Sequence, residues 1–240
     1  MSGKPLTILH LYPRDMNIYG DNGNVLVLKR RAEWRGYNVE VVNYNPGDTF
    51  PTNPDLIIGG GGQDSGQDKI QQDLLKIAPD LMRLAENNTP MLVICGLYQL
   101  FGKFFRTQDG HVIKGIGLLD VETVAGPERL IGNIITSSDD FGDIIGYENH
   151  SGQTYLGESI QPLGSVIKGA GNNGHDDYEG ARYKNVIGSY LHGSLLPKNP
   201  AIADWLVKKA AEKKYGSFND SSVDDRFATL AREHAIKRPR

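Results

Sequence analysis

The stretch Met91-Leu92-Val93-Ile94-Cys95-Gly96-Leu97-Tyr98-Gln99 decides how this chain is read. Four consecutive apolar residues form a short buried strand, and a helix-like run over residues 97–104 follows after only Cys95 and Gly96. A strand that turns so abruptly into a helix places the residue between them on a tight elbow at the sheet edge. The first turn of the helix offers free N–H groups and partial positive charge, which favour a thiolate there. The Gly96 N–H is also placed to point at an oxyanion formed when the sulfur attacks. Cys95 is the single cysteine of 240 residues, so no intramolecular disulfide and no Cys-rich metal site can form. On this segment alone two roles stay open for it, small buried hydrophobe and nucleophile.

Outward from that segment, residues 6–11 read as a strand, 24–34 as a helix closed by Gly36, and 39–42 and 56–58 as strands. Residues 67–77 and 80–87 read as two helices, with Pro79 resetting the chain between them. The order β-α-β-β-α-β-α predicts an α/β fold with a mostly parallel sheet flanked by helices. Active sites of such sheets gather at the carboxyl ends of strands. Cys95 lies at one such end and Gly59-Gly60-Gly61-Gly62 at another. Beyond Gly115, glycines split short strands at 131–136, 143–148, 165–168 and 186–191, so the second half reads as strand-rich. A helix is expected over 199–213, with Ile202, Trp205, Leu206 and Ala210 on one face. Residues 1–215 are expected to form the domain and 216–240 a tail. Within the tail, 223–235 read as a short helix with Phe227, Leu230 and Ala231 inward.

Composition narrows the function classes. A net charge of −3 gives no electrostatic case for nucleic acid. The basic clusters Lys29-Arg30-Arg31 and Lys237-Arg238-Pro239-Arg240 read as a solvated helix face and a loose end. The start Met1-Ser2-Gly3-Lys4-Pro5 lacks the order of a signal peptide. No apolar run approaches the ~18–20 residues that span a bilayer. A cytoplasmic protein without a transmembrane segment is expected.

Two further segments bear on Cys95. Four glycines after a strand let a loop fold tightly and point its amides inward. The spacing Gly61 to Gly66 mimics a phosphate-binding loop, but Gln67-Asp68 stand where Lys-Ser or Lys-Thr is required, and Asp64 and Asp68 would repel phosphate. An oxyanion role for a glycine amide is therefore preferred to nucleotide binding. His192 follows the strand at 186–191 and can face the same rim as Cys95. Of the other five histidines, His10 lies within the first strand, His111, His175 and His234 sit in polar surroundings, and His150 is the one competitor as a base.

These residues resemble class I glutamine amidotransferases of the cobyric acid synthase type, in particular those serving lipid II amidation. The resemblance runs from about residue 6 to residue 213. It is carried by Gly59-Gly60-Gly61-Gly62-Gln63-Asp64, by Cys95-Gly96-Leu97-Tyr98-Gln99, by Gly146-Tyr147-Glu148-Asn149-His150-Ser151-Gly152 and by Tyr190-Leu191-His192-Gly193. Tyr19-Gly20-Asp21-Asn22-Gly23-Asn24 is similar too. It implies a flavodoxin-like sheet, with Cys95 attacking the side-chain amide of glutamine and His192 moving the proton. Gly60 or Gly61, together with the Gly96 N–H, is similar to the oxyanion hole. Arg129 looks like an arginine at the entrance for the carboxylate of glutamine, and Gln99 keeps the family's place after the nucleophile. Two positions depart from many relatives: Leu97 where they have glycine, and Ser194 where they have the glutamate that orients the histidine. The orienting group is therefore expected from a partner chain.

A partner is expected on chemical grounds as well. Ammonia is wasted unless an activated carboxylate consumes it, and this sequence has no complete phosphate-binding loop for ATP. The resemblance implies a heterodimer with a Mur-ligase-like synthetase subunit of the MurT type. That subunit would carry ATP and Mg and amidate D-glutamate in the stem peptide of lipid II, while this chain needs no cofactor. The rivals are an amidotransferase for a cobyrinic-acid-like acceptor and a non-catalytic regulatory subunit.

Overall fold

The computed structural model describes residues 4–192 and 194–238. Gly193, which closes one of the quoted motifs, lies outside the described residues, as do Met1-Ser2-Gly3 and Pro239-Arg240. The first half runs β1 (Leu6–Leu11), α1 (Asn22–Trp34), β2 (Val39–Tyr44), β3 (Leu56–Gly59), α2 (Asp64–Glu86), β4 (Met91–Ile94) and α3 (Gly96–Phe101). The second half continues with β5 (Phe104–Arg106), β6 (Val112–Lys114), β7 (Val121–Ser138), β8 (Gly142–Leu156), β9 (Gly164–Lys168) and β10 (Tyr178–Glu179). It closes with β11 (Ala181–Tyr183), β12 (Val186–Ser189), α4 (Leu195–Lys198), α5 (Pro200–Tyr215) and α6 (Arg226–Ile236).

The first sheet has the order β11-β12-β4-β3-β1-β2, parallel except for β11 at one edge. The step from β1 to β2 moves one way across the sheet and that from β3 to β4 the other. Right-handed crossovers then put α1 and α2 on opposite faces. Both central strands β3 and β4 are buried throughout, which is why they read as unbroken apolar runs. Their register decides the site. Gly59 pairs with Val93 and Ser189 with Ile94, so β3, β4 and β12 end at one level. The residues that follow each of them therefore leave the sheet side by side.

The second sheet, β10-β9-β7-β5-β6 with β8 on β7, is built on a long hairpin. The glycines that suggested strand breaks sit inside its ladder, with Gly132 opposite Glu148 and Gly146 opposite Ile134. The ladder loses register only between Ala125 and Leu130. This sheet meets the first at the site, where Tyr147 of β8 bridges to His192.

Three expectations are corrected. Pro79 does not separate two helices; α2 runs through it from Asp64 to Glu86. Ile70, Leu74, Ile77, Ala78, Leu81 and Leu84 form one buried face on both sides of the proline. Packing of about 1.5–3 kcal/mol per large apolar side chain outweighs the roughly 3 kcal/mol of an interior proline. Arg31 is not on a solvated face: it is 4% exposed and its guanidinium reaches Asp204 at 2.5 Å and Asp225 at 2.6 Å. In α6, Phe227 is 80% exposed and Leu230 is exposed too. The helix is anchored instead by Arg232, which donates to the carbonyls of Lys198 and Asp143 and to Asn199 Oδ1. Arg232 lies roughly 140° around the helix from Phe227, so anchoring one turns the other outward.

Replacing Pro79 by Ala is expected to raise stability by about 1–3 kcal/mol in urea unfolding, since a continuous helix regains a hydrogen bond and loses a ring clash. Unchanged or lower stability would mean that the helix does end there.

Candidate active site

Cys95 has φ 50° and ψ −104°, a conformation that few residues other than glycine adopt. Such strain costs on the order of 1–3 kcal/mol and persists only where surrounding bonds enforce it. Here the Cys95 N–H donates to Ser189 O at 2.9 Å, and the Gln99 N–H donates to Cys95 O at 3.0 Å. The first bond ties the elbow to β12 and the second locks it into α3. The sulfur is thereby carried to the level where β3 and β12 also end.

Those neighbours deliver the other groups. A Cβ built on Gly61 would stand 3.0 Å from Cys95 Cβ and 3.3 Å from His192 Cε1. Gly61, Cys95 and His192 therefore border one small space, as the sequence suggested, and a side chain at 61 would crowd both. His192 is held by its N–H, which donates to Tyr147 O at 2.7 Å, and by Tyr19, whose ring lies 4.1 Å from the imidazole. Neither nitrogen of the His192 ring has a hydrogen-bond partner, although the residue is only 1% exposed. His150 is held apart from His192 by its own contacts. Its Nδ1 lies 2.6 Å from Gly152 O and its ring stacks 3.6 Å from that of Tyr190.

A cavity of about 260 Å³ opens on Cys95. It is lined by Tyr19, Gln63, Gln99, Arg129, Asn149, His150 and Ser151 among others. That is below the ~300–1,000 Å³ of drug-sized ligand pockets and suits a free amino acid. Arg129 stands at its rim, in the segment of β7 where register with β8 is lost, and donates to Asn149 Oδ1 at 3.0 Å. Bulges of this kind re-aim side chains beside active sites. Gln99 borders the cavity, but its amide is engaged within the protein. Its Oε1 accepts from Gln67 at 2.6 Å and its Nε2 donates to Tyr190 Oη at 2.9 Å.

The electrostatics differ from those of a helix terminus acting alone. Burial, and then the carboxylate of Asp21, push the Cys95 thiol up to about 12, against a smaller opposing pull from the Gly96 N–H. Burial also lowers His192 to about 3, helped by His150 and Arg129. The expected thiolate is thus overruled by desolvation, because a six-residue helix cannot replace the water lost around the sulfur. At neutral pH the resting pair is thiol and neutral imidazole.

Tyr19 and Asp21 went unassigned in the sequence. Both lie on the turn before α1 and carry no strand or helix periodicity to mark them. Glu179 was missed for the same reason. It accepts from the Tyr190 N–H at 2.7 Å and the Ser189 hydroxyl at 3.1 Å, fixing the chain just before His192. Burial pushes its carboxyl up to about 8. Among the described residues no group of three or more His, Cys, Asp or Glu could hold a metal, and no helix is long and apolar enough to cross a membrane.

The chain belongs to the CobB/CobQ-like glutamine amidotransferase family, whose domain matches residues 7–200, and it is a glutamine amidotransferase. It is similar to lipid II isoglutaminyl synthase (glutamine-hydrolyzing) subunit GatD of Staphylococcus aureus (strain N315), with 42% identity over 97% of this chain and 96% of that protein. The subunit of the same name from Streptococcus pneumoniae (strain ATCC BAA-255 / R6) is 42% identical over 88% of this chain and 82% of that one. A solved structure of PurLQS from Thermotoga maritima shares the fold, with a TM-score of 0.59, 17% identity and coverage of 87% of this chain and 97% of that chain.

In the isolated protein, iodoacetamide is expected to alkylate Cys95 far more slowly at pH 7 than it alkylates free cysteine, with the rate still climbing above about pH 9. A rate that levels off near neutral pH would contradict the burial-raised thiol.

Proposed function

We propose that this chain is the glutamine-hydrolysing subunit of a lipid II isoglutaminyl synthase. The observation that carries the reading is that Cys95 and His192 meet at Gly61, while Cys95 opens on an amino-acid-sized cavity. The names of the two near full-length relatives point to the same substrate.

The chemistry follows from the neutral pair. Glutamine enters with its carboxylate toward Arg129 and its side-chain amide against Cys95. His192 takes the thiol proton as sulfur attacks the amide carbon, so no free thiolate has to persist in the dry site. The C–S bond forms, and the oxyanion is held by the Gly96 N–H and an amide of the glycine loop. The C–N bond then breaks as His192 returns its proton to nitrogen, and ammonia leaves. Water, deprotonated by His192, attacks the glutamyl thioester; the C–S bond breaks, the sulfur regains a proton and glutamate departs. Ammonia passes to a Mur-ligase-like partner that holds ATP and Mg and amidates D-glutamate in the stem peptide.

The unpartnered nitrogens of His192 support an orienting group from that partner. Ser194, where an acid would stand, instead donates through its hydroxyl to Gly20 O at 2.7 Å. A cavity of about 450 Å³ opens beside His192 and Tyr147, lined by Lys198, His234 and Arg238 and by no carboxylate among the described residues. A partner carboxylate entering there meets positive charge and reaches the imidazole.

Cys95→Ser and His192→Ala are each expected to lower glutaminase activity at least about a thousandfold, and Arg129→Ala to raise KM for glutamine more than it lowers kcat. Adding the Mur-ligase-like partner should raise wild-type glutaminase and yield glutamine- and ATP-dependent amidation of lipid II. Full glutaminase activity of the chain alone would contradict the orienting group in trans, and amidation by Cys95→Ser with glutamine as sole nitrogen source would contradict the site.

A further inference from the structure

Asp21 is 1% exposed and sits against the glycine loop. Its Oδ2 accepts the Gly61 N–H at 2.8 Å, while its Oδ1 is buried with no partner. The contact is close: a Cβ on Gly60 would stand 2.5 Å from the Asp21 side chain. Gly61 is also the loop residue nearest both Cys95 and His192. The Gly61 amide, on the loop beside Cys95, thus donates to a carboxylate.

We infer that Asp21 is a latch: its carboxylate holds the Gly60–Gly61 peptide with the N–H withdrawn from the reacting centre, and turnover requires that bond to be released. The inference rests on the reading that Cys95 attacks glutamine. Three features support it. A peptide between two glycines can rotate about both flanking bonds without side-chain cost. Letting go would leave the buried carboxylate without the Gly61 donor, so the bond persists until binding of substrate or partner offsets its loss. The latched carboxylate also opposes negative charge at Cys95, where it raises the thiol and would repel an oxyanion. Release would therefore supply a donor beside the reacting centre. Asp21 acts through the loop, so it is a positioning residue.

The test uses the full chain, with and without the synthetase partner. Asp21→Ala removes the acceptor and is expected to raise partner-free glutaminase kcat about tenfold or more, up to the 10²–10³ that one oxyanion donor is worth, with KM changed less than about twofold. Asp21→Asn keeps an acceptor without charge and should give a smaller rise. In ¹⁵N-labelled wild-type protein the Gly61 amide resonance should shift in Asp21→Ala. It should also shift when Cys95 is modified by a diazoketone analogue of glutamine. Unchanged or lower kcat in a folded Asp21→Ala, or a Gly61 amide indifferent to that modification, would overturn the latch. If Asp21→Ala fails to fold, the amide measurement on wild type decides alone. Failure of the analogue to label Cys95 in competition with glutamine would instead sink the functional reading beneath it.

Discussion

The backbone of Cys95 is the constraint on which the site depends. A side chain at φ 50° is held there by one bond to β12 and one inside α3, and the first exists because β12 runs parallel to β4 in the register that sets Ser189 beside Ile94. A slip of one residue would turn alternate side chains of the strand to the other face. It would also part the elbow from the histidine that leaves the neighbouring strand. The parallel order β12-β4-β3 thus does more than bury apolar surface. It brings a thiol, an imidazole and a glycine loop to one level from three distant parts of the chain.

The buried shell around those groups is polar and well connected. Gln67, Gln99, Tyr190, Thr154 and Thr123 form a continuous hydrogen-bonded chain beside Cys95. Each member bonds the next, and only Gln67 Oε1 among them is buried without a partner. The groups in front of it are less connected: His192 has two unpartnered ring nitrogens and Asp21 one unpartnered oxygen. That contrast separates a connected scaffold from the proposed catalytic groups.

Sequence made much of this legible, and for a physical reason. Buried parallel strands must be apolar without interruption, so Leu56-Ile57-Ile58 and Met91-Leu92-Val93-Ile94 announce themselves, and with them the strand ends where Gly59 and Cys95 lie. His192 was legible as the histidine that ends such a strand. The rest depended on distances that sequence does not carry. Arg31 is buried because Asp204 and Asp225, far along the chain, converge on it. Pro79 was read by its local preference, and tertiary packing overrode that preference. Phe227 was assigned inward on apolarity, whereas Arg232 fixed the face. Asp21 and Tyr19 sit on an irregular turn, where no period reveals what a side chain touches.

The covalent intermediate is the most direct test of the account. Wild-type protein would be mixed with glutamine in the presence of its synthetase partner, quenched in acid within milliseconds, digested and mapped by mass spectrometry. A glutamyl group attached to Cys95, absent from His192→Ala, is the expected result. Glutamine turnover at an undiminished rate with Cys95 unmodified at every quench time, or by a Cys95→Ser protein, would contradict it.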